Sequence, residues 1–245
     1  MKLGIPWWVL VHSPLVGPST WGPVADELRQ RGYDVVVPRL EDTDGVDAPY
    51  WQQHAASAAR VIETVPHDRP LVLVGHSGAG PLLPAIGRQI PRSVAAYIFV
   101  DAGLPHGGVS RLADMEANSP EFATTLSQDL TAGRPYPTWT NNQLRDDIPD
   151  AERRQQILTE LRPRDLVFFR EPLPVVSGWP NTACAYLQLS PVYDKPAAHA
   201  RECGWPYRTV NAGHFHMLVD PVEVTTILLN LIEELRLPEI MTNGA

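Results

Sequence analysis

The chain has 245 residues, 44% of them hydrophobic and 20% charged, with a formal net charge of −8. That length suits one large α/β domain or two small ones, with enough apolar material for a core that needs no disulfide or metal. An acidic balance without a long basic run disfavours nucleic acid and anionic membranes as partners, and the only cysteines, Cys184 and Cys203, sit in no metal-ligand spacing.

The N-terminal stretch is too short in its apolar part, and too broken by proline, to be a signal peptide. No apolar run reaches transmembrane length, so a soluble, cytoplasmic protein with two reduced thiols is expected. Trp7 to Val11 (WWVLV) is a continuous apolar run, as in a strand buried on both faces. Trp21 to Arg31 has helical spacing and stops at Gly32. Asp34 to Val37 is a second strand, closed by Pro38. A helix over Tyr50 to Val65, a strand over Leu71 to Val74, a helix over Gly80 to Ile90 and a strand over Val94 to Val100 follow. Strand and helix alternating at this spacing predict βαβ units and a mainly parallel sheet with helices on both faces.

From His106 to about Pro180 the rhythm breaks. Helical stretches over Ser119 to Thr131 and Asp150 to Leu161 are separated by Pro- and Trp-rich segments, which reads as an inserted helical cap. The rhythm resumes with the strand CAYLQLS, a helix over Ala197 to Cys203, the strand YRTVN and a last helix from about Pro221 to Leu235. The expected organisation is an α/β core over 1–105 and 181–240, a helical cap over 106–180 and a flexible tail over 241–245.

The stretch LVLVGHSGAG, Leu71 to Gly80, carries the first chemical signal. Ser77 lies just past a strand and just before a helix, with the small residues Gly75 and Ala79 two positions to either side. A tight strand–turn–helix projects such a hydroxyl beyond the carboxyl edge of the sheet, where ligands bind. This is the G-x-S-x-G nucleophile elbow with alanine in its last place; the plainer alternative is a glycine-rich turn with an N-capping serine. The Gly78 N–H, opening the next helix, would face an oxygen near Ser77. A serine nucleophile needs a base. His214, in the loop after the last strand, is the preferred candidate over His216. His76 precedes the nucleophile and is expected to line or support the pocket.

Ser77 in its elbow, the late His214, the opening VLVHSPLVGPSTW with His12 and Trp21, FVDAGLP at Asp101 and GHFHMLVDP together resemble the α/β-hydrolase superfamily. Within it the chain is most similar to the small esterase, methylesterase and hydroxynitrile-lyase group. The resemblance implies an α/β-hydrolase fold and a Ser-His-Asp triad, but the chain departs from the pattern twice. The second oxyanion-hole N–H would come from Pro14, which has none; the Leu15 N–H or the Ser13 hydroxyl would have to replace it. The acid is expected soon after the CAYLQLS strand, which offers Asp194. Asp101, at the end of the strand beside the nucleophile strand, is the equal alternative. Phe215 stands where hydroxynitrile lyases carry a lysine, which argues against cyanohydrin chemistry.

The resulting expectation is hydrolysis of an ester or thioester of a small apolar substrate, with no metal and no cofactor. Trp139, Phe168, Phe169, Leu173 and Trp179 would line the pocket, or equally pack the interior of the cap. A cofactor-free non-hydrolytic enzyme using the same Ser and His, and a small-molecule-binding protein without turnover, are the competing readings.

Overall fold

In the computed structural model, which describes residues 6–237, the apolar runs become strands because each has a core on both sides. The expected tail over 241–245 lies outside the described residues. The strands are β1 (Trp7–Val11), β2 (Val35–Val36), β3 (Leu71–Ser77), β4 (Val94–Ala102), β5 (Ala183–Gln188) and β6 (Tyr207–Thr209). They form one parallel sheet in the order β2-β1-β3-β4-β5-β6. The helices are α1 (Gly22–Gln30), α2 (Tyr50–Ile62), α3 (Leu83–Gln89), α4 (Arg111–Asn118), α5 (Pro120–Thr131), α6 (Ala151–Thr159), α7 (Leu166–Arg170), α8 (Asp194–Glu202), α9 (His216–Val219) and α10 (Pro221–Glu234).

The period of two along each strand divides the core. Trp8 and Leu10 of β1, Val72 and Val74 of β3 and Ile98 of β4 face one layer, built with α1, α9 and α10. Val9, Leu71, Leu73 and Phe99 face the other, built with α2, α3 and α8. Each fully buried leucine contributes about 1.5–3 kcal/mol relative to exposure, so both layers are tied to the sheet at many points.

Three local differences from the sequence reading bear on the site. β3 runs on to Ser77 and β4 to Ala102, so both candidate site residues at these strands sit on the sheet's edge. The predicted helix over 80–90 is a 3-10 turn, Gly80–Leu82, followed by α3, because Pro81 and Pro84 cannot donate to a continuous helical ladder. The predicted helix over 197–203 begins instead at Asp194. Pro196 does not break it, since it sits in the first turn, where an N–H would have no helical partner.

The 106–180 segment contains α4, α5, α6 and α7. Its two short helices, α4 and α7, were not legible as periodic stretches but carry local caps. Ser110 Oγ accepts from Ala113 N at 3.2 Å, and Asp165 Oδ1 from Val167 N and Phe168 N at 3.0 and 3.2 Å. Leu112, Leu126, Leu130, Phe168 and Phe169 form the segment's own cluster, whereas Leu144, Ile148 and Ile157 join the main core.

Ion pairs fasten the segment down. Arg164 forks onto Asp42 with bonds of 2.7 and 2.5 Å, and His54 Nε2 donates to the same carboxylate at 2.7 Å. Glu171 accepts from the Tyr50 and Trp51 N–H groups at 2.6 and 3.0 Å, capping α2 from across the fold. Burial would raise the Asp42 carboxyl, but hydrogen bonds from His54 and Arg164 hold it far below the usual carboxylate range. Its contribution is therefore complete above the unfolded pKa of about 4 and is lost as pH falls through and below that value. Asp42→Asn should cost about 3–5 kcal/mol at neutral pH and flatten the acid limb of the stability curve. Urea unfolding between acidic and neutral pH measures both effects.

Candidate active site

Ser77 ends β3 with φ of 57°, a left-handed conformation that a side-chain-bearing residue adopts only when its surroundings force it. The forcing is visible at Gly80, where an added Cβ would lie 2.1 Å from the Gly103 carbonyl oxygen. The turn after the serine is thus pressed against the end of β4, and Gly80, one position beyond the alanine that replaces the motif's last glycine, provides the close approach.

Asp101, the last residue but one of the neighbouring strand β4, is also left-handed, with φ of 43°. Tyr186 holds this bend from β5: its hydroxyl accepts from Ala102 N at 3.1 Å and donates to Ala102 O at 2.7 Å. The Asp101 carboxylate is fully buried and receives four hydrogen bonds. Leu189 N and Ser190 N donate to Oδ1 at 3.0 and 2.9 Å; Ser190 Oγ and His214 Nδ1 donate to Oδ2, both at 2.6 Å. Burial alone would raise this carboxyl. The bonds from His214 and Ser190, with that from Leu189, hold it below its ordinary value.

Asp194 is elsewhere. It opens α8, is exposed, and accepts from Gln188 Nε2 at 2.5 Å. Of the two acids left equal by the sequence, the fold brings Asp101 to His214 and turns Asp194 away.

His214 follows β6 and precedes α9. His76, fully buried beneath it, donates Nε2–H to the His214 carbonyl at 3.0 Å, with ring centroids 4.3 Å apart. Burial pushes the His76 pKa well below its usual value, so its ring is neutral and acts as a fixed support. Ser77 Oγ and the Tyr193 hydroxyl share a hydrogen bond of 3.0 Å in which either can donate, and the Tyr193 ring stacks on the His214 imidazole, 5.5 Å between centroids at 17°. Among the described residues no hydrogen bond joins Ser77 to His214 directly; Tyr193 touches both. Sequence reasoning missed Tyr193 and Ser190, and the one local signal for them was the Ser190-Pro191 turn just past the strand.

On the other side of Ser77, Ser13 Oγ would lie 3.2 Å from a Cβ built on Gly78. The Leu15 N–H points at Ser13 Oγ, 3.4 Å away, rather than into the cavity, which leaves the Ser13 hydroxyl hydrogen free to donate. The Gly78 N–H has no hydrogen-bond partner among the described residues. His12 fixes this turn: Nδ1–H donates to Ser13 O at 2.8 Å and Nε2 accepts from Leu40 N at 3.1 Å. Burial pushes its pKa down to about 4, which keeps it neutral.

Ser13, His76, Ser77, Gly78, Tyr193 and His214 open on one cavity of about 390 Å³, lined also by Trp139, Phe168, Phe169 and Leu173. Trp179 does not reach it; its ring packs against Phe99 and Trp205 on the sheet instead. No cluster of metal-ligating side chains and no helix long and apolar enough to cross a membrane occurs among the described residues.

Chemistry gathered at the carboxyl ends of successive parallel strands, with the alcohol on a strained strand-to-helix turn, defines the class: an enzyme of the α/β-hydrolase type. The profile of the alpha/beta hydrolase family matches residues 8–226, and the chain belongs to that family. It is 27% identical to Methylesterase 1 of Arabidopsis thaliana over 103 residues, 40% of this chain and 39% of the relative. The chain thus spans less than half the length of the Arabidopsis methylesterases it matches. An extracellular α/β-hydrolase from a Paenibacillus species superposes with a TM-score of 0.73 at 19% identity, over 92% of this chain and 98% of that one. Tomato Methylketone Synthase I superposes with a TM-score of 0.67 at 14% identity, over 94% and 98%. At these identities the structural likeness is one of fold.

The two carboxylates separate by experiment. Asp101→Asn should reduce turnover by about 10⁴-fold while the protein stays folded, and Asp194→Asn should leave it within severalfold. Steady-state kinetics of both variants on one substrate, with circular dichroism as the folding control, make the comparison.

Proposed function

We propose that the protein is a serine hydrolase that cleaves an ester or thioester of a small apolar substrate through Ser77, His214 and Asp101. The observation that carries this reading is the 2.6 Å bond from His214 Nδ1 to the buried Asp101 carboxylate, which leaves Nε2 as the basic nitrogen beside the cavity that Ser77 enters. Ser77 Oγ forms a bond to the substrate carbonyl carbon as its proton passes to His214 Nε2, and the carbonyl electron pair moves onto oxygen. Asp101 stabilises the imidazolium. The Gly78 N–H and the Ser13 hydroxyl take the oxyanion between them. The carbonyl then re-forms, the bond to the leaving group breaks, and the proton on Nε2 goes to the departing atom. Water repeats the sequence and frees the acyl group.

The Ser77–Tyr193 hydrogen bond is compatible with this route when the phenol is the donor, since the Ser77 proton then stays available to the imidazole. The 106–180 segment serves as the cap: its Trp139, Phe168 and Phe169 give the cavity an apolar wall for an acyl or alcohol group.

A second reading has one observation in its favour. Pro14 removes a backbone donor where an oxyanion would sit, and a synthase is among the structural neighbours. A cofactor-free, non-hydrolytic reaction would lean less on that donor pair. It requires Ser77→Ala to keep appreciable turnover while His214→Ala does not.

Treatment with a fluorophosphonate should give a single adduct on Ser77, seen by peptide mass, and Ser77→Ala should abolish hydrolysis of p-nitrophenyl esters. An unlabelled Ser77 under conditions that modify a control esterase would sink the acyl-enzyme route. Ser13→Ala should reduce kcat by roughly 10²–10³-fold with little change in KM; an unchanged kcat would remove Ser13 from the oxyanion site.

A further inference from the structure

Tyr193 lies in contact with the nucleophile yet has no part in the proton route just described. It ends a short turn, Pro191–Tyr193, between β5 and α8, and lines the cavity. Among the described residues its hydroxyl has one hydrogen-bond partner, Ser77 Oγ. Partial burial raises the phenol pKa, so the group remains an O–H donor at every working pH.

The sheet order fixes which side of the reacting carbon this donor can serve. Ser13 follows β1, which neighbours β3 on one side; β4 and then β5 lie on the other, so Tyr193 and His214 approach from there. A tetrahedral centre on Ser77 carries three oxygens: Oγ itself, the oxyanion and the leaving oxygen. The Ser13 and Gly78 donors claim the oxyanion. The leaving oxygen has to face His214 Nε2 to be protonated, and the Tyr193 ring lies flat against that imidazole.

When Ser77 attacks, Oγ becomes an ester oxygen and a poor acceptor, so the Tyr193 hydroxyl loses its partner. The nearest new acceptor is the other oxygen on the same carbon on that side, and it is gaining negative charge as its bond to carbon breaks. We propose that Tyr193 is a catalytic hydrogen-bond donor to the departing oxygen, and that it suits the site to esters of unactivated aliphatic alcohols over thioesters. The proposal rests on the serine-hydrolase reading above. The proton balance does not change: His214 Nε2 still delivers the proton that makes the alcohol, and Tyr193 keeps its own. A departing alkoxide of high basicity gains most from such a donor. A stable p-nitrophenolate gains little, and a thiolate sulfur, a weak acceptor, gains little as well.

The test compares kcat/KM of wild type and Tyr193→Phe on one acyl group carried as ethyl, trifluoroethyl, phenyl and p-nitrophenyl esters and as an ethyl thioester. The value of kcat/KM excludes the shared deacylation step. The variant should lose roughly 10–100-fold on the ethyl ester and less than about threefold on the p-nitrophenyl ester and the thioester. Its dependence on leaving-group pKa should steepen accordingly, while its fluorophosphonate labelling rate stays near that of wild type. A uniform loss across the series would mark Tyr193 as a support for Ser77 and overturn the proposal, as would no loss. Wild type inert to every member of the series would instead overturn the hydrolase reading, and this one with it.

Discussion

A single buried negative charge organises this site. Asp101 has no exposure to water, and an isolated carboxylate there would be untenable. Four donors make it tolerable, and they come from three places: the end of β5 at Leu189 and Ser190, the Ser190 hydroxyl, and the loop after β6 at His214. The charge therefore fixes the relative positions of β4, β5 and the histidine loop at their carboxyl ends. The left-handed backbone at Asp101 belongs to the same arrangement, because the bend aims the side chain across the ends of the strands rather than along the sheet. Tyr186 holds that bend with both hydrogen bonds of its hydroxyl. Removing the whole side chain would leave Ser190 and two backbone N–H groups as buried donors in search of an acceptor, which gives the carboxylate a structural role, whereas an asparagine would keep an oxygen for the two N–H groups.

The positions of the elbow and of the candidate base were legible in the sequence for opposite reasons. Ser77 was legible because its requirement is local: small neighbours, a strand before and a helical turn after. His214 was legible because position along the chain determines position in a parallel sheet, so a histidine past the last strand must return to the same edge. The acid had no such signature. Asp194 sits where the resemblance implies the acid, but it opens α8 on the exposed side and bonds Gln188 instead. Asp101 is chosen by contacts from Ser190 and Leu189, separated from it by 89 and 88 positions, which no local pattern encodes. Tyr193 was illegible for the same reason. In the sequence it is one aromatic residue between prolines, and only the close approach of β5 to the nucleophile strand through β4 gives it a role.

The turn after β1 bears on how the proposed oxyanion site would replace a missing donor. Pro14 removes an N–H, but it also stiffens the chain between Ser13 and Leu15. His12 anchors the turn from beneath with both ring nitrogens, and its neutrality, enforced by burial, is what allows one nitrogen to donate and the other to accept. The Leu15 N–H, which could have replaced the missing donor itself, instead orients the Ser13 hydroxyl. On the proposed route, a side-chain donor held in this way would do in the cavity what a backbone donor does elsewhere, though it keeps a rotational freedom that an N–H lacks.

The segment over 106–180 explains why so polar a set of groups faces so apolar a chamber. Its α6 packs into the main core through Ile157, and its Arg164 and Glu171 are clamped to the loop and helix that follow β2. That leaves α4, α5 and α7 to close over the carboxyl ends of the strands with their own cluster of Leu112, Leu126, Phe168 and Phe169. Phe168 is held between this cluster and the buried guanidinium of Arg111, 4.2 Å from its ring, so the cavity wall is braced by charge from behind. The guanidinium nitrogens of Arg111 are buried, and the Phe168 and Phe169 side chains line the cavity beside it. Beyond Ser77 and His214 the wall of the cavity is mostly apolar, with Asp114, Asn118, Ser119 and Tyr136 as polar residues set into it. A bound molecule would thus meet an aromatic wall on one side and this short polar row on the other.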